Sequence, residues 1–270
     1  MSVLTDAIPN RKSVRSFDGA PLRREDREKL ERFMEELDNP FGVRVRCVLL
    51  DAERNGLTSP VLTGATLYAA GLAETKPNWE AAFGFSFEKL VLYARSLGIG
   101  TVWIAGTLNR KQFERAAGLT EGWRMPCVTP LGYAAAKRSV KEVLMRRGIG
   151  ADSRLPAEKL FFDGRPDRPL SGDKLAALAR PLELTRRAPS AVNKQPWRLI
   201  LEDGQAHFYE KKDRGLTGEA TGDLQRIDVG IALCHFLLGL EDMGLRPGVT
   251  VEDPGVEAPQ EAEYVATVRF

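Results

Sequence analysis

Ala188-Pro189-Ser190-Ala191-Val192-Asn193-Lys194-Gln195-Pro196-Trp197 sets two prolines, a serine, an asparagine, a glutamine and a tryptophan within ten positions, after a helical pattern. A turn requires only one or two such residues. Four side chains with polar tips, Ser190, Asn193, Gln195 and Trp197, held around rigid prolines suit a flat ligand rich in heteroatoms. Trp197 itself is read as core in preference to a stacking partner.

Working outward, the chain repeats. Phe17-Asp18-Gly19-Ala20-Pro21 recurs 145 residues later as Phe162-Asp163-Gly164-Arg165-Pro166. Gly84 to Gly98 encloses a helical pattern that returns 146 residues later between Gly230 and Gly244. A common turn and a common glycine cap account for each match alone. Two matches at nearly one offset point to a diverged duplication. The halves meet near residue 155, giving units 1–155 and 156–270. Each predicts a helix after the F-D-G turn (24–37, 172–187), a strand (43–50, 197–202), a long apolar helix (85–97, 229–243) and a further strand (101–104, 248–251). A last strand covers 263–270. Leu233, Phe236, Leu237, Leu238 and Leu240 place apolar residues nearly all round the second long helix, so it is buried. The class is α+β. Residues 54–77, with scattered Gly, Thr and Pro, are expected to form a mobile loop.

Composition limits the function. Lys and Arg total 39 against 37 Asp and Glu, a net charge of +2, so nothing favours nucleic acid over a small anionic ligand. Cys47, Cys127 and Cys234 lack C-x-x-C spacing and read as reduced, buried cysteines of an intracellular protein. The first residues carry no signal-peptide pattern, and no apolar run is long enough to span a bilayer, so a cytoplasmic protein is expected. His207 and His235 have no partner at metal-ligand spacing, and His235, inside an apolar helix, reads as a packed core residue. No G-x-S-x-G or phosphate-binding Walker loop is present.

Arg11-Lys12-Ser13-Val14-Arg15 places a serine between two arginines. Arg offers a planar fork of donors suited to phosphate, and a hydroxyl adds a contact. Alone this is a basic solvated turn. Leu97-Gly98-Ile99-Gly100-Thr101-Val102-Trp103-Ile104-Ala105-Gly106 is not a dinucleotide fingerprint, because its glycines run from helix to strand instead of strand to helix.

Taken together these motifs resemble the FMN-dependent nitroreductase family. Ala188 to Trp197 is similar to its A-P-S-x-x-N-x-Q-P-W signature, and Arg11, Ser13, Arg15 and Phe17 stand as in its R-x-S-x-R-x-F motif. Leu97 to Gly106 is similar to the family's helix, L-G-x-G and strand segment, whose following loop passes over the flavin. Where the family often has an acidic residue this chain has Ala105, which leaves the flavin N5 contact to the backbone at Ala105 and Gly106. Pro130-Leu131-Gly132-Tyr133 followed by Lys137 and Arg138 resembles the family's closing strand and phosphate-reaching basic residue; a surface Lys-Arg pair at a helix start fits these two equally well.

The family's subunits dimerise and share each FMN between two chains. Here the first motif survives only in the first half, and the second motif only in the second half. The losses are complementary, which resembles the duplicated single-chain "putative TM nitroreductase" group. The resemblance implies a nitroreductase-like pseudo-dimer with one flavin between its halves, able to exist as a monomer. It implies FMN contacts from Arg11, Lys12, Ser13, Arg15, Ala105, Gly106, Lys137, Arg138, Pro189, Ser190, Asn193 and Gln195. Arg11 and Ser13 would hold the phosphate and ribityl side, and Arg15 the pyrimidine edge, where fixed positive charge favours the anionic reduced ring. No catalytic side chain and no metal are implied; the flavin carries the chemistry. The expected activity is reduction of nitroaromatics, quinones or similar small acceptors by NADH or NADPH. The alternatives are a flavin-binding protein without turnover, an enzyme with a dedicated substrate, and a scaffold without flavin.

Overall fold

The computed structural model describes residues 2–137, 139, 142–143, 147–148, 150–151 and 153–270. Its centre is made by two apolar helices, Trp79–Ser96 and Leu224–Asp242. Neither has an exposed polar face of any width, so each must be covered by other elements. They cover each other. A Cβ added to Gly84 would lie 2.0 Å from the Ile227 carbonyl oxygen, and one added to Gly230 would lie 2.1 Å from that of Ala81. Gly84 and Gly230 are 146 residues apart, and so are Ala81 and Ile227. The contact is therefore reciprocal, as across a two-fold axis. Only glycine permits this approach, because any side chain would meet backbone.

The ends of the two helices match as well. Gly98 and Gly244 follow them in the left-handed conformation, φ +79° and +81°, the usual way for a helix to stop. The start differs. Asp223 caps the second helix by accepting from Gln225 and Arg226 backbone N–H groups, whereas Asn78 makes no such bond at the first.

Each central helix packs on its own sheet. In the first, β1 (Val45–Asp51) pairs antiparallel with β2 (Leu67–Glu74), which also pairs with β3 (Trp123–Arg124) and β4 (Val128–Leu131). In the second, five strands run β10 (Gly248–Thr250), β11 (Ala262–Arg269), β7 (Gln205–Lys211), β6 (Trp197–Glu202) and β5 (Phe161–Asp163). Only β5 and β6 are parallel there. A separate two-stranded hairpin, β8 (Thr217–Gly218) with β9 (Gly222–Asp223), precedes the second central helix. One apolar core runs through both halves, and a smaller one, including Tyr68, Leu72, Val102, Ile104 and Phe113, lies under the first sheet. Among the described residues no helix is long and apolar enough to cross a membrane.

Three expectations are corrected. Residues 54–77 are not a loop throughout, because β2 runs through them and is almost wholly buried. Its small residues depress strand propensity, yet they are required: a Cβ on Gly71 would lie 2.6 Å from the Phe83 ring. Residues 101–104 make isolated bridges, to Ser13 and Val128, instead of a strand. The helix expected over 172–187 breaks into Gly172–Ala177 and Ala179–Arg186. Pro181 has no N–H to offer the preceding turn, and it is tolerated in the first turn of a new helix.

Candidate functional site

Ser13 lies where two cavities adjoin. The N-terminal segment reaches this place because Val14 donates its N–H to the Thr101 carbonyl at 2.9 Å and turns its side chain inward over Gly100. Extended backbone then puts Ser13 and Arg15 on the opposite face. Phe17 is buried against Gly132 and closes the segment.

The first cavity, about 350 Å³, is lined by Arg11, Lys12, Ser13, Arg154, Arg186 and Arg187, with Glu183 as its acidic group. Glu183 is paired to Arg186 and Arg187 at 2.7 and 2.8 Å. Among the described residues, five cations against one carboxylate suit an anion such as a phosphate. The second cavity, about 270 Å³, has apolar walls from Val102, Trp103, Leu224, Ile227 and Ile231. Ser13, Arg15, Ala105, Cys127, Ser190 and Asp228 add polar groups or small surfaces. Both halves of the chain contribute to both cavities. A phosphate-bearing ligand with a flat ring fits this pair: its anionic end against the arginines, its ring between the apolar walls.

The Pro189–Gln195 loop forms one wall under strain. Val192, Asn193 and Gln195 all have positive φ, at 44°, 59° and 51°. Such conformations cost non-glycine residues about 1–3 kcal/mol each and persist only where the surroundings fix them. Here Ser190 Oγ accepts the Gln195 N–H at 2.9 Å, and Asp228 Oδ2 accepts the Ala191 N–H at 2.9 Å. Asn193 Nδ2 donates to the Gly150 carbonyl at 2.8 Å, and Gln195 Oε1 accepts the Leu155 N–H at 2.8 Å. Both amides therefore bind the segment from Gly150 to Leu155, and neither lines either of the two cavities that meet at Ser13.

Beneath the site a buried carboxylate joins its parts. Glu88, on the first central helix, accepts from Trp103 Nε1 at 3.0 Å and lies 3.1 Å from His235 Nε2 on the second. Arg11 Nε is 3.9 Å away. His235 Nδ1 faces the Leu184 carbonyl at 2.9 Å, so that nitrogen carries a proton. His235 is thus a fully hydrogen-bonded core histidine. Burial pushes the Cys127 thiol up, so it is a small apolar wall here and not a nucleophile.

Of the residues named from sequence, Arg11, Lys12 and Ser13 line the first cavity, and Ser13, Arg15, Ala105, Pro189 and Ser190 the second. Gly106 is exposed beside Ala105 with open space over it, and Lys137 is exposed away from both cavities. Arg138 lies outside the described residues. Trp197 is fully buried in the core. Sequence reasoning missed Arg154, Arg186, Arg187, Trp103 and Asp228. The arginine pair directly precedes Ala188 and was legible as a basic flank. Asp228 was a lone acid at the edge of an apolar run. Among the described residues no group of three or more His, Cys, Asp or Glu is placed to hold a metal.

A family model described as "Putative TM nitroreductase" matches residues 3–240. The chain belongs to this nitroreductase family. Its fold is similar over the full length to a solved structure described as a putative nitroreductase of Thermotoga maritima MSB8. The two are 20% identical, the match covers 100% of this chain and 94% of that one, and the TM-score is 0.64. Smaller nitroreductase-fold structures match about half of this nitroreductase-family chain. A putative NADH dehydrogenase/NAD(P)H nitroreductase of Bacteroides thetaiotaomicron VPI-5482 is 22% identical, covering 52% of this chain and 90% of its own, TM-score 0.43. An FMN-dependent nitroreductase of Clostridium difficile R20291 is 16% identical, covering 49% and 88%, TM-score 0.42. No protein of curated function matches. The full-length likeness shows the nitroreductase fold, and the reciprocal contacts of Gly84 and Gly230 mark the duplication within the chain.

Proposed function

We propose that this chain is an FMN-dependent oxidoreductase that binds one flavin between halves 1–155 and 156–270. It would take electrons from NADH or NADPH and reduce nitroaromatics, quinones or similar small acceptors. The observation that carries the reading is the pair of cavities meeting at Ser13, one rich in arginine and one apolar with Arg15 in its wall. Arg11, Lys12, Ser13, Arg154, Arg186 and Arg187 would hold the phosphate. Arg15 would face the pyrimidine edge of the ring, where fixed positive charge favours reduction. Ser190 and the backbone of Pro189–Ala191 would approach the ring from the second half, and Ala105 and Gly106 from the first. When bound, the flavin supplies hydride transfer; the protein orients it and sets its electronics. Because both walls come from one chain, a monomer suffices to complete the site.

The test is an anaerobic titration with FMN, followed by absorbance on adding NADH or NADPH. One FMN retained per chain and bleached by either nucleotide is the expected result. Two per chain would contradict the single interfacial site. FMN retained but unbleached by both would favour flavin binding without this turnover, and no retained FMN would remove the assignment.

A further inference from the structure

Among the described residues, Asp228 is the one carboxyl in the wall of the apolar cavity. It lies on the second central helix and is 4% exposed. Its Oδ2 accepts the Ala191 N–H, which ties the strained loop to the helix. The equivalent position of the first central helix, 146 residues earlier, is Ala82. The acid therefore has no counterpart across the pseudo-two-fold, on the side where the paired motifs are lost.

Its surroundings decide its charge. Burial holds the carboxyl well above the usual carboxylate range; the Ala191 N–H opposes this, and Asp223 and Glu210 reinforce it. Arg15 from the N-terminal segment, Cys127 from before β4 and Ser190 from the loop face the same cavity. A carboxyl biased towards its protonated form in a largely apolar wall can donate a proton, and it carries less of the negative charge that would oppose an incoming hydride.

We propose that Asp228 is a catalytic proton donor to the acceptor reduced in this cavity. The proposal rests on the flavin reading above. In a two-electron reduction of a quinone, a hydride from the cofactor brings one hydrogen and the electron pair, and a quinone oxygen gains negative charge. The Asp228 O–H bond breaks, its proton forms the new O–H bond on that oxygen, and the carboxylate left behind takes a proton from solvent before the next turnover.

The decisive variant is Asp228→Asn in the full, FMN-loaded chain. The amide oxygen can still accept the Ala191 N–H, so the loop stays anchored while the acidic proton is gone. Three things are measured: FMN affinity, the infrared carbonyl band of a protonated carboxylic acid, and the rate and pH profile of reoxidation by a quinone. The expected result is unchanged FMN affinity, loss of a carboxylic acid band, and reoxidation slowed roughly 100-fold or more with a flattened pH profile. Ala191→Pro is the control, because it removes the loop hydrogen bond and keeps the acid. It should keep the carboxylic acid band and a pH-dependent reoxidation, displaced to higher pH because the Ala191 N–H that opposes the raised carboxyl is gone. The reverse ranking, with Asp228→Asn normal and Ala191→Pro impaired, means Asp228 only positions the loop and overturns the proposal. FMN retained with Asp228→Asn reacting as wild type overturns this proposal alone. Wild type that retains no FMN overturns the flavin reading and this proposal with it.

Discussion

Arg15 and Asp228 line the same cavity but stand in different electrostatic states. Arg15 keeps its charge at any accessible pH. Arg15→Ala is therefore expected to weaken FMN binding about tenfold, the scale of one hydrogen bond to a charged group, and to lower the potential of the bound flavin. Fluorescence titration and a potentiometric titration check both; unchanged affinity and potential would remove Arg15 from the site. Asp228 behaves oppositely. Its folded state disfavours ionisation, so it contributes nothing to the pH dependence of stability below the unfolded carboxylate range, near pH ~4. As pH rises from there the unfolded chain ionises first, and folding loses at most about 1.4 kcal/mol per pH unit until the folded group ionises too. Asp228→Asn cannot ionise. Its melting temperature minus that of wild type should therefore grow as pH is raised from 4 towards 8, with any constant offset from the buried amide left aside; a flat difference would mean Asp228 is already charged in the fold. Arg11, Ser13, Arg15 and Ser190, which line the two cavities, were picked out in sequence through their resemblance to family motifs, since each lies on a short segment whose neighbours in sequence are also neighbours in space. Asp228 was not, because it reaches the cavity only through the crossing of two helices. Asn193 and Gln195 show the converse: polar tips near a site are also what a strained loop needs to hold itself.

At the scale of the element, the 189–195 loop concentrates strain that its sequence does not advertise. A β-branched residue is unfavourable at positive φ, yet Val192 sits at φ 44° and is mostly exposed. Asn tolerates this region without glycine's flexibility in the unfolded chain. Val192→Asn is expected to stabilise the protein by roughly 1 kcal/mol, read as a higher urea midpoint at unchanged slope. A loss of stability would mean that the Val192 side chain contributes more to the cavity wall than its backbone costs. The elements that sequence pattern placed well were those with one dominant period, such as β6, found over the expected residues, and the bodies of the two central helices, both of which begin earlier than expected, at Trp79 and Leu224. The misreadings share one physical cause, tertiary contact overriding local preference. β2 is an Ala- and Gly-rich strand because the Phe83 and Phe87 rings lie on it. Residues 101–104 give up a ladder because they bridge Ser13 on one side and Val128 on the other.

At the scale of the molecule, the duplication was visible in sequence as paired glycines, and the structure gives those glycines their physical purpose. Gly84 and Gly230 let the central helices touch backbone to side-chain-free backbone, at equivalent positions. Replacing glycine by alanine in a helix interior ordinarily stabilises by about 1 kcal/mol. Here the new Cβ would lie near 2 Å from a carbonyl oxygen, and the neighbour is backbone, which cannot rotate aside. The helices must separate instead, and overpacking of this kind costs about 1–3 kcal/mol. Gly84→Ala and Gly230→Ala are each expected to destabilise, and by similar amounts because the two contacts are related by the pseudo-two-fold. Once one substitution has pushed the helices apart, part of the second clash is already relieved. The double variant should therefore lose less than the sum of the singles, and a double-mutant cycle in urea measures the shortfall. Strict additivity would mean that the two contacts yield independently, each by local distortion, and that the halves do not meet as one rigid helix pair.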